Sequence, residues 1–551
     1  MGKTMHMKQI GGPSVVLVAV MALLLAVAFT TWAAPAKPAA KAAGKAATKN
    51  KAAEGLTGTA AKRPTGYTPK GTVTFATSWA TFNNKGGDPA TQNGAPPYVS
   101  QTCFDSLVSV SVDRKWIPAL AKTWQIAPGW KYIDFFMRDD VKFSNGDSVT
   151  AEDVKYSLGV YTDKKFRYVF GPMWRKTIQN VEIVNPKQVR IHLAQADWGF
   201  IGRLWWGGGI MPKAYREKVG DEEFAKHPIG AGPFKWVDYK QDQWALYEAV
   251  PNHYRATPHV KTVKLLYVPE PSTRLAMYKN GEADLGPLLG AHIKEIQADP
   301  RMKLFWVKGV SGATIIYADL VDPNTPSPFL DIRVRKAAGM AIDRESICKK
   351  ILFGAGEPWG DVLPPVTLGA DPKLKPEPYD PEKAKALLTE AGYPNGFETE
   401  MQVQTTDITA EALSSNLLDI GIKVKVNKYE AGAFYDNFFQ KKFRGLIPYV
   451  GWYDAEFQAP AELSDFYLKG TPHAYYTTDE IDAMLRKAMY AETNAELIDW
   501  GKKISKLVRD SYITTFLWAS NSPFCLGPRI KRWEPSLGCI PAIAFETIEL
   551  K

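Results

Sequence analysis

Residues 132–159 read YIDFFMRDDVKFSNGDSVTAEDVKYSLG. The first part, YIDFFMRDDVKFSNGD (132–147), has the aromatic and β-branched content of paired strands, and Asn145-Gly146 supplies the residue pair that tolerates positive φ in a tight turn. It is expected to form a hairpin. VTAEDVKYSLG (149–159) then opens a helix, with Thr150 as the cap and Asp153 answering it from the third helical position. A strand unit passing directly into a capped helix sets the class: strands and helices interleaved in a mixed α/β chain.

The same alternation extends outward. GTVTFATSW (71–79) alternates and reads as the first strand, and VEIVNPKQVRIHLA (181–194) as a hairpin turning at Asn185-Pro186. Residues 260–286 read as a strand, a helix ended by Gly281, and a short strand that carries Asp284. In the second half, 328–352 is mostly helical. YDPEKAKALLTEAGYPNGF (379–397) is a helix with Asp380 at the cap, Pro381 at its first position and Gly392 after its end. Residues 409–420 read as a helix broken by Gly421, and Thr477 with Glu480 as a capping box. Helix 494–510 and strand 512–518 complete the pattern. GDVLPPVTLGADPKLKPEP (360–378) is a long Pro-rich connection, of a kind that wraps a neighbouring lobe or lines a site.

The chain has 551 residues, 45% hydrophobic and 23% charged. This is globular composition, enough for two large lobes and not that of a polytopic membrane protein. The net charge of +10 suggests a nucleic-acid partner until it is located. Residues 1–70 hold ten Lys or Arg and the single acid Glu54, a net +9, which leaves +1 for residues 71–551. The body is nearly neutral, with no domain-wide basic field for phosphates.

The amino terminus explains the charge. Lys3 and Lys8 precede an apolar run from Val15 to Phe29 and small residues at Ala33-Ala34, the plan of a secretory signal peptide over 1–34. Export to the periplasm with cleavage is expected; the alternative is an uncleaved membrane anchor. Residues 35–70 form an Ala/Lys-rich spacer with no large apolar residue in its first part to bury, read as flexible, with weak contact to an anionic surface as the sharper alternative.

Four cysteines do not make a disulfide scaffold. Cys525 and Cys539 flank a short stretch and are the candidate pair for a disulfide, whereas Cys103 and Cys348 sit among apolar neighbours and are expected buried. There is no CxxC, no HExxH, no G-x-S-x-G, no Walker A and no strand-linked G-x-G-x-x-G. No metal, cofactor or catalytic residue is expected, and the protein is read as a binder rather than an enzyme. The 17 Trp, 24 Tyr and 25 Phe are the conspicuous feature. Trp79 ends the first strand, Trp205-Trp206 precede three glycines, and Trp452-Tyr453 stand beside Asp454 and Glu456. Adjacent bulky aromatics cannot both point inward on a strand, so these seven residues are the candidate ligand-binding set. A flat ring beside a carboxylate suits a ligand that is part apolar and part cationic.

Six ordered stretches carry a resemblance. They are GDPATQN with Asp88-Pro89, residues 118–158, PIGAGPF (228–234), VPEPSTRLAMYKNGEADL (268–285), residues 328–347 and residues 379–397. Across roughly 71–545 the chain resembles the dipeptide/oligopeptide-type receptors of ABC importers, bacterial extracellular solute-binding protein family 5. The resemblance implies a two-lobed periplasmic-binding-protein fold (type II-like, the large cluster with an extra subdomain), with mixed sheets and a hinge. Lobe I would be 71–305 plus 516–551, and lobe II 306–515. Asp147, Asp153, Arg333 and Arg335 would serve the scaffold. The implied partners are a small ligand, peptide or oligosaccharide, and an inner-membrane ABC permease; a monomer and no nucleic acid are expected. In peptide-binding members a carboxylate in a pattern close to G-W-x-x-D, followed by Asp-Pro, pairs with the peptide amine. Here Gly451-Trp452 leads to Asp454 and Glu456, each one position off, and Gln458-Ala459-Pro460 replaces Asp-Pro. Relatives that bind opines, oligosaccharides, glutathione or nickel complexes supply the alternative ligand classes.

Overall fold

Both edges of the strand Tyr132–Met137 are taken by other partners, Ala121–Ile126 on one side and Gln188–Leu193 on the other. The return arm of the expected 132–147 hairpin is therefore reduced to a single bridge between Lys142 and Ser148. Asn145-Gly146 still makes the turn, with Gly146 at φ 95° and the Phe143 amide donating to the Asp147 carbonyl at 2.8 Å. The capping box forms as the sequence predicts. The Thr150 amide and hydroxyl both donate to Asp153 Oδ2, at 2.9 and 2.7 Å. Asp153 Oδ1 accepts the Lys213 amide at 2.9 Å, so the cap also pins the helix Ala151–Thr162 to Lys213–Val219.

The computed structural model describes residues 68–77, 86–91, 98–111, 115–166, 168, 170–451, 459–491, 493–535 and 544–551. The signal segment 1–34 and nearly all of the spacer lie outside them. Among the described residues no helix is long and apolar enough to cross a membrane.

Tyr132–Met137 belongs to a four-stranded antiparallel sheet that includes the 178–193 hairpin, turning at Asn185-Pro186 as expected. Among the described residues the main sheet has eleven strands and is mixed. At one end Thr72–Thr77 runs parallel to Thr262–Tyr267, and the meander Phe234–Lys240, Trp244–Ala249 completes the edge. At the other end Ile422–Tyr429, Phe397–Gln404 and Leu446–Val450 lie side by side and parallel. Two long antiparallel strands join these halves, Lys303–Tyr317 and Thr514–Leu526.

Those two strands serve separate cores. Phe305 and Phe524 pack against Trp533 in a core with Val73, Phe75 and the 121–193 sheet, whereas Ile315, Phe516 and Trp518 belong to a second core with Met401, Leu413 and Ile447. The tail returns to the first core, where Phe545 meets Phe75 edge-on at 5.5 Å and Arg529 pairs with Asp284 at 2.6 Å. Between the cores the pairing register breaks, jumping from Val307↔Ser522 to Ser311↔Ser520. Four residue steps on the first strand face two on the second, and such an excess leaves the ladder locally unpaired and bends it. Gly309, within the break, has φ +61°, a left-handed conformation that side-chain-bearing residues rarely adopt.

The Pro-rich connection 360–378 packs against this break: a Cβ placed on Gly309 would lie 3.2 Å from Pro365 and Val366. Asp361, buried within the connection, accepts the Asp371 amide at 2.7 Å and the Leu363 amide at 3.1 Å. Elsewhere the expected helices form, with one correction. The helix Asp479–Ala488 is capped by Thr478, whose Oγ1 accepts the Ile481 amide at 3.1 Å, not by Thr477 with Glu480. Either threonine fits the capping pattern, but burial of Ile481 and Leu485 fixes the helix start one residue later. The strand expected over 512–518 runs from Thr514 to Leu526, well past Trp518.

Candidate functional site

Three strand ends meet at the register break. Phe397–Gln404 and Leu446–Val450 are parallel, and both deliver their carboxyl ends to one place; Leu285–Pro287 of the first half ends opposite. In open α/β sheets ligands bind outside the carboxyl ends of the strands. A cavity of about 530 Å³ lies there. Its described wall takes Pro287 and Leu288 from the first half, Ser311, Trp518, Ser520 and Asn521 from the crossing strands, and Gln404, Thr406–Thr409, Tyr435, Tyr449 and Gly451 from the second half. That volume is in the range of small-molecule and short-peptide sites.

The wall mixes rings with short polar groups. Tyr449 stacks on Phe438 with centroids 4.9 Å apart and planes 14° apart, which fixes one aromatic face. Ile408 and Val450 stay exposed beside it. A turn closed by the Asp407 amide on the Gln404 carbonyl at 3.0 Å presents Asp407, the only charged residue among the described lining residues. Asp407 Oδ1 accepts the Thr409 amide, the Thr409 hydroxyl at 2.8 Å and the Ala410 amide at 3.0 Å, capping the helix Ala410–Leu418. Asn521 looks the other way as well, since its Oδ1 accepts the Gly309 amide at 2.9 Å.

Of the seven expected ligand contacts, Trp79, Trp452, Tyr453, Asp454 and Glu456 lie outside the described residues. Their flanks are informative. Gly451, next to Trp452, lines the cavity, and its amide donates to the Gly312 carbonyl at 2.8 Å. Trp205 and Trp206 are elsewhere. They sit on the helix Phe200–Gly207, buried in the first core, Trp205 against Trp116 at 6.2 Å and Trp206 against Phe170 at 5.4 Å. The strand premise fails for this pair: on a helix in a deep core, two adjacent rings, 100° apart around the axis, can both be buried. Neither lines the cavity.

Cys525 carries a free thiol, as do Cys103 and Cys348, and burial pushes each thiol up to about 12. Cys539 lies outside the described residues. The scaffold reading of the charged motif residues matches their contacts. Arg335 donates to the carbonyls of Tyr512, Phe329, Leu330 and Ser511, and Arg333 pairs with Asp331. Sequence reasoning missed Asp407, Tyr435 and Asn521; the usable signal was the place of Asp407 after a strand end and of Asn521 on a crossing strand, whereas Tyr435, on the helix Ala431–Phe439, had none.

The sequence profile of "Bacterial extracellular solute-binding proteins, family 5 Middle" matches residues 115–473. Heme-binding protein A of Haemophilus influenzae is 30% identical over 366 residues, covering 60% of this chain and 65% of that protein, so the match spans just under two thirds of its length. Glutathione-binding protein GsiB of Pectobacterium atrosepticum is 26% identical over 413 residues, covering 72% of this chain and 79% of that protein. The periplasmic binding protein DppA of Helicobacter pylori, solved with the peptide STSA, has a similar fold: TM-score 0.72, 23% identity, 87% of this chain and 98% of that one covered. A profile matching more than half of the chain, on a two-lobed α/β fold with a cavity where the lobes meet, is decisive: the chain belongs to the bacterial extracellular solute-binding proteins of family 5.

Proposed function

We propose that the protein is an extracytoplasmic receptor that captures a peptide-like ligand between its lobes and delivers it to an inner-membrane ABC permease. The observation that carries this is the cavity at the register break, walled by both cored halves and by the strands that join them. A ligand touching both walls stabilises the closed arrangement by its differential contacts, and closure is the state a permease reads. Lobe I comprises 71–305 with 516–551 and lobe II 306–515; the two cores support this division away from the crossing strands, where Phe516 and Trp518 pack in the second core and Val307 in the first. Hydroxyl and amide side chains at Gln404, Thr406, Ser520 and Asn521 suit a peptide backbone, and the rings accept varied side chains. Trp79, Trp452 and Tyr453 would add further rings, and Asp454 or Glu456 would meet the ligand amine.

The receptor works after export, with the signal peptide removed. It performs no turnover. The aromatic faces of Tyr435, Tyr449 and Trp518 favour one second reading, an oligosaccharide or opine stacked on them. The test is mass spectrometry of the solute released on denaturing gently purified protein. A peptide mixture supports the first reading, and recovery of saccharide alone overturns it.

A further inference from the structure

We propose that Asp407 is a specificity-determining residue, its carboxylate taking a nitrogen cation of the captured ligand, an ammonium or a guanidinium. This rests on the reading of the cavity as the ligand site. Three observations converge. Asp407 is the only charged residue among the described residues that line the cavity. One of its oxygens is saturated: Oδ1 takes three hydrogen bonds from Thr409 and Ala410. The other, Oδ2, receives no hydrogen bond from the described residues. The carboxylate is thus held in one orientation before any ligand arrives, so pairing costs little further side-chain ordering.

The helix behind it strengthens the selection. An open helix N-terminus attracts anions. Here the Thr409 amide and the first helical amide, that of Ala410, are already turned onto Asp407, which offsets part of that attraction. No Lys, Arg or His stands among the described lining residues to compensate the charge. A ligand carboxylate beside this turn would meet an uncompensated negative charge, whereas a nitrogen cation meets a fixed acceptor. Tyr435 and Ile408, on the same wall, suit the apolar stem that carries such a cation.

The cation can be a main-chain ammonium or a basic side chain, and defined peptides separate the two. Full-length protein and its Asp407→Asn variant, stripped of bound solute, are titrated calorimetrically with trialanine, N-acetyl-trilysine, N-acetyl-trialanine and the cation-free, anionic N-acetyl-triglutamate. Asparagine keeps the helix cap, so the variant removes charge and leaves the fold. The wild type is expected to bind trialanine or N-acetyl-trilysine about tenfold more tightly than the other two, and the tighter of them names the source of the cation. Asp407→Asn loses about tenfold for that peptide and nothing for N-acetyl-trialanine. Equal affinities of variant and wild type for every peptide, or N-acetyl-trialanine bound as tightly as its charged counterparts, overturns the assignment. If the wild type binds no peptide, the peptide-like reading fails by itself. The Asp407 assignment is then decided by the solutes released from native wild type and variant. Loss of amine- or guanidine-bearing solutes from the variant supports it, and identical mixtures overturn it.

Discussion

Asn521 Oδ1 accepts the backbone amide of Gly309 at 2.9 Å, across the register break that separates the two cores. The same side chain lines the cavity, and its Nδ2 donates to the Gly354 carbonyl and to Glu357, both at 3.3 Å. One residue therefore touches the ligand space, the bend and the segment that pairs with the second crossing strand. Asn521→Ala leaves the buried Gly309 amide without its acceptor, at a cost of about 1–3 kcal/mol. Urea unfolding measures it, and an unchanged midpoint would show that the bend does not depend on this bond.

Trp518 and Trp205 are predicted to behave oppositely in fluorescence. Trp518 lines the cavity and Trp205 is buried in the first core. Trp518→Phe should diminish the emission change caused by ligand. Trp205→Phe should keep that change and instead lower stability by about 1–3 kcal/mol. A ligand signal lost with Trp205 and kept without Trp518 would place the site elsewhere.

The motif residue Asp88 is predicted to be a structural keystone. Its carboxylate takes both terminal nitrogens of Arg216 at 2.8 and 3.0 Å, and both side chains are essentially inaccessible. Arg216 Nε also meets Asp221 at 3.1 Å. Asp88→Ala strands a buried guanidinium and should cost about 3–5 kcal/mol in chemical unfolding. Asp88→Leu combined with Arg216→Met should recover much of that loss, because the pair's desolvation cost disappears with it. A double variant as unstable as the single one would contradict this account.

The scaffold was far more legible in the sequence than the site. Thr150–Asp153, Asp380 and the Asn185-Pro186 turn are local signals, each set by residues within a few positions of one another, and each formed. The Asn145-Gly146 turn formed too, yet its return arm did not, because strand partners from residues 121–126 and 188–193 are non-local. Trp205-Trp206 looked like a surface pair because a strand was assumed; the helix beneath them places both rings in the core. Asp407 belongs to no motif read from the sequence, although its carboxylate takes the Ala410 amide at a helix start. Its place in the cavity depends on strand 446–450 pairing with 397–404 and on the crossing strands from 303 and 514. No short-range pattern encodes that meeting.

The Pro-rich connection is predicted to carry a pH dependence. Burial pushes the Asp361 carboxyl up to about 6, against the pull of the Asp371 and Leu363 amides. The folded chain therefore holds this proton more tightly than the unfolded chain does. The stabilisation is complete below about pH 4 and is lost as pH rises through about 6. Asp361→Asn removes this component, so between about pH 4 and pH 7 the variant should gain on the wild type by roughly 3 kcal/mol. Parallel stability curves for the two proteins over that range would show that Asp361 does not titrate there.

The central claim is capture of a solute between two lobes that close at the Val307–Ser311 break. Small-angle X-ray scattering of the stripped protein, before and after addition of the solute fraction it releases, tests that most directly. The account predicts a smaller radius of gyration on addition, reversed by renewed stripping. Saturable binding with an unchanged scattering profile would contradict it.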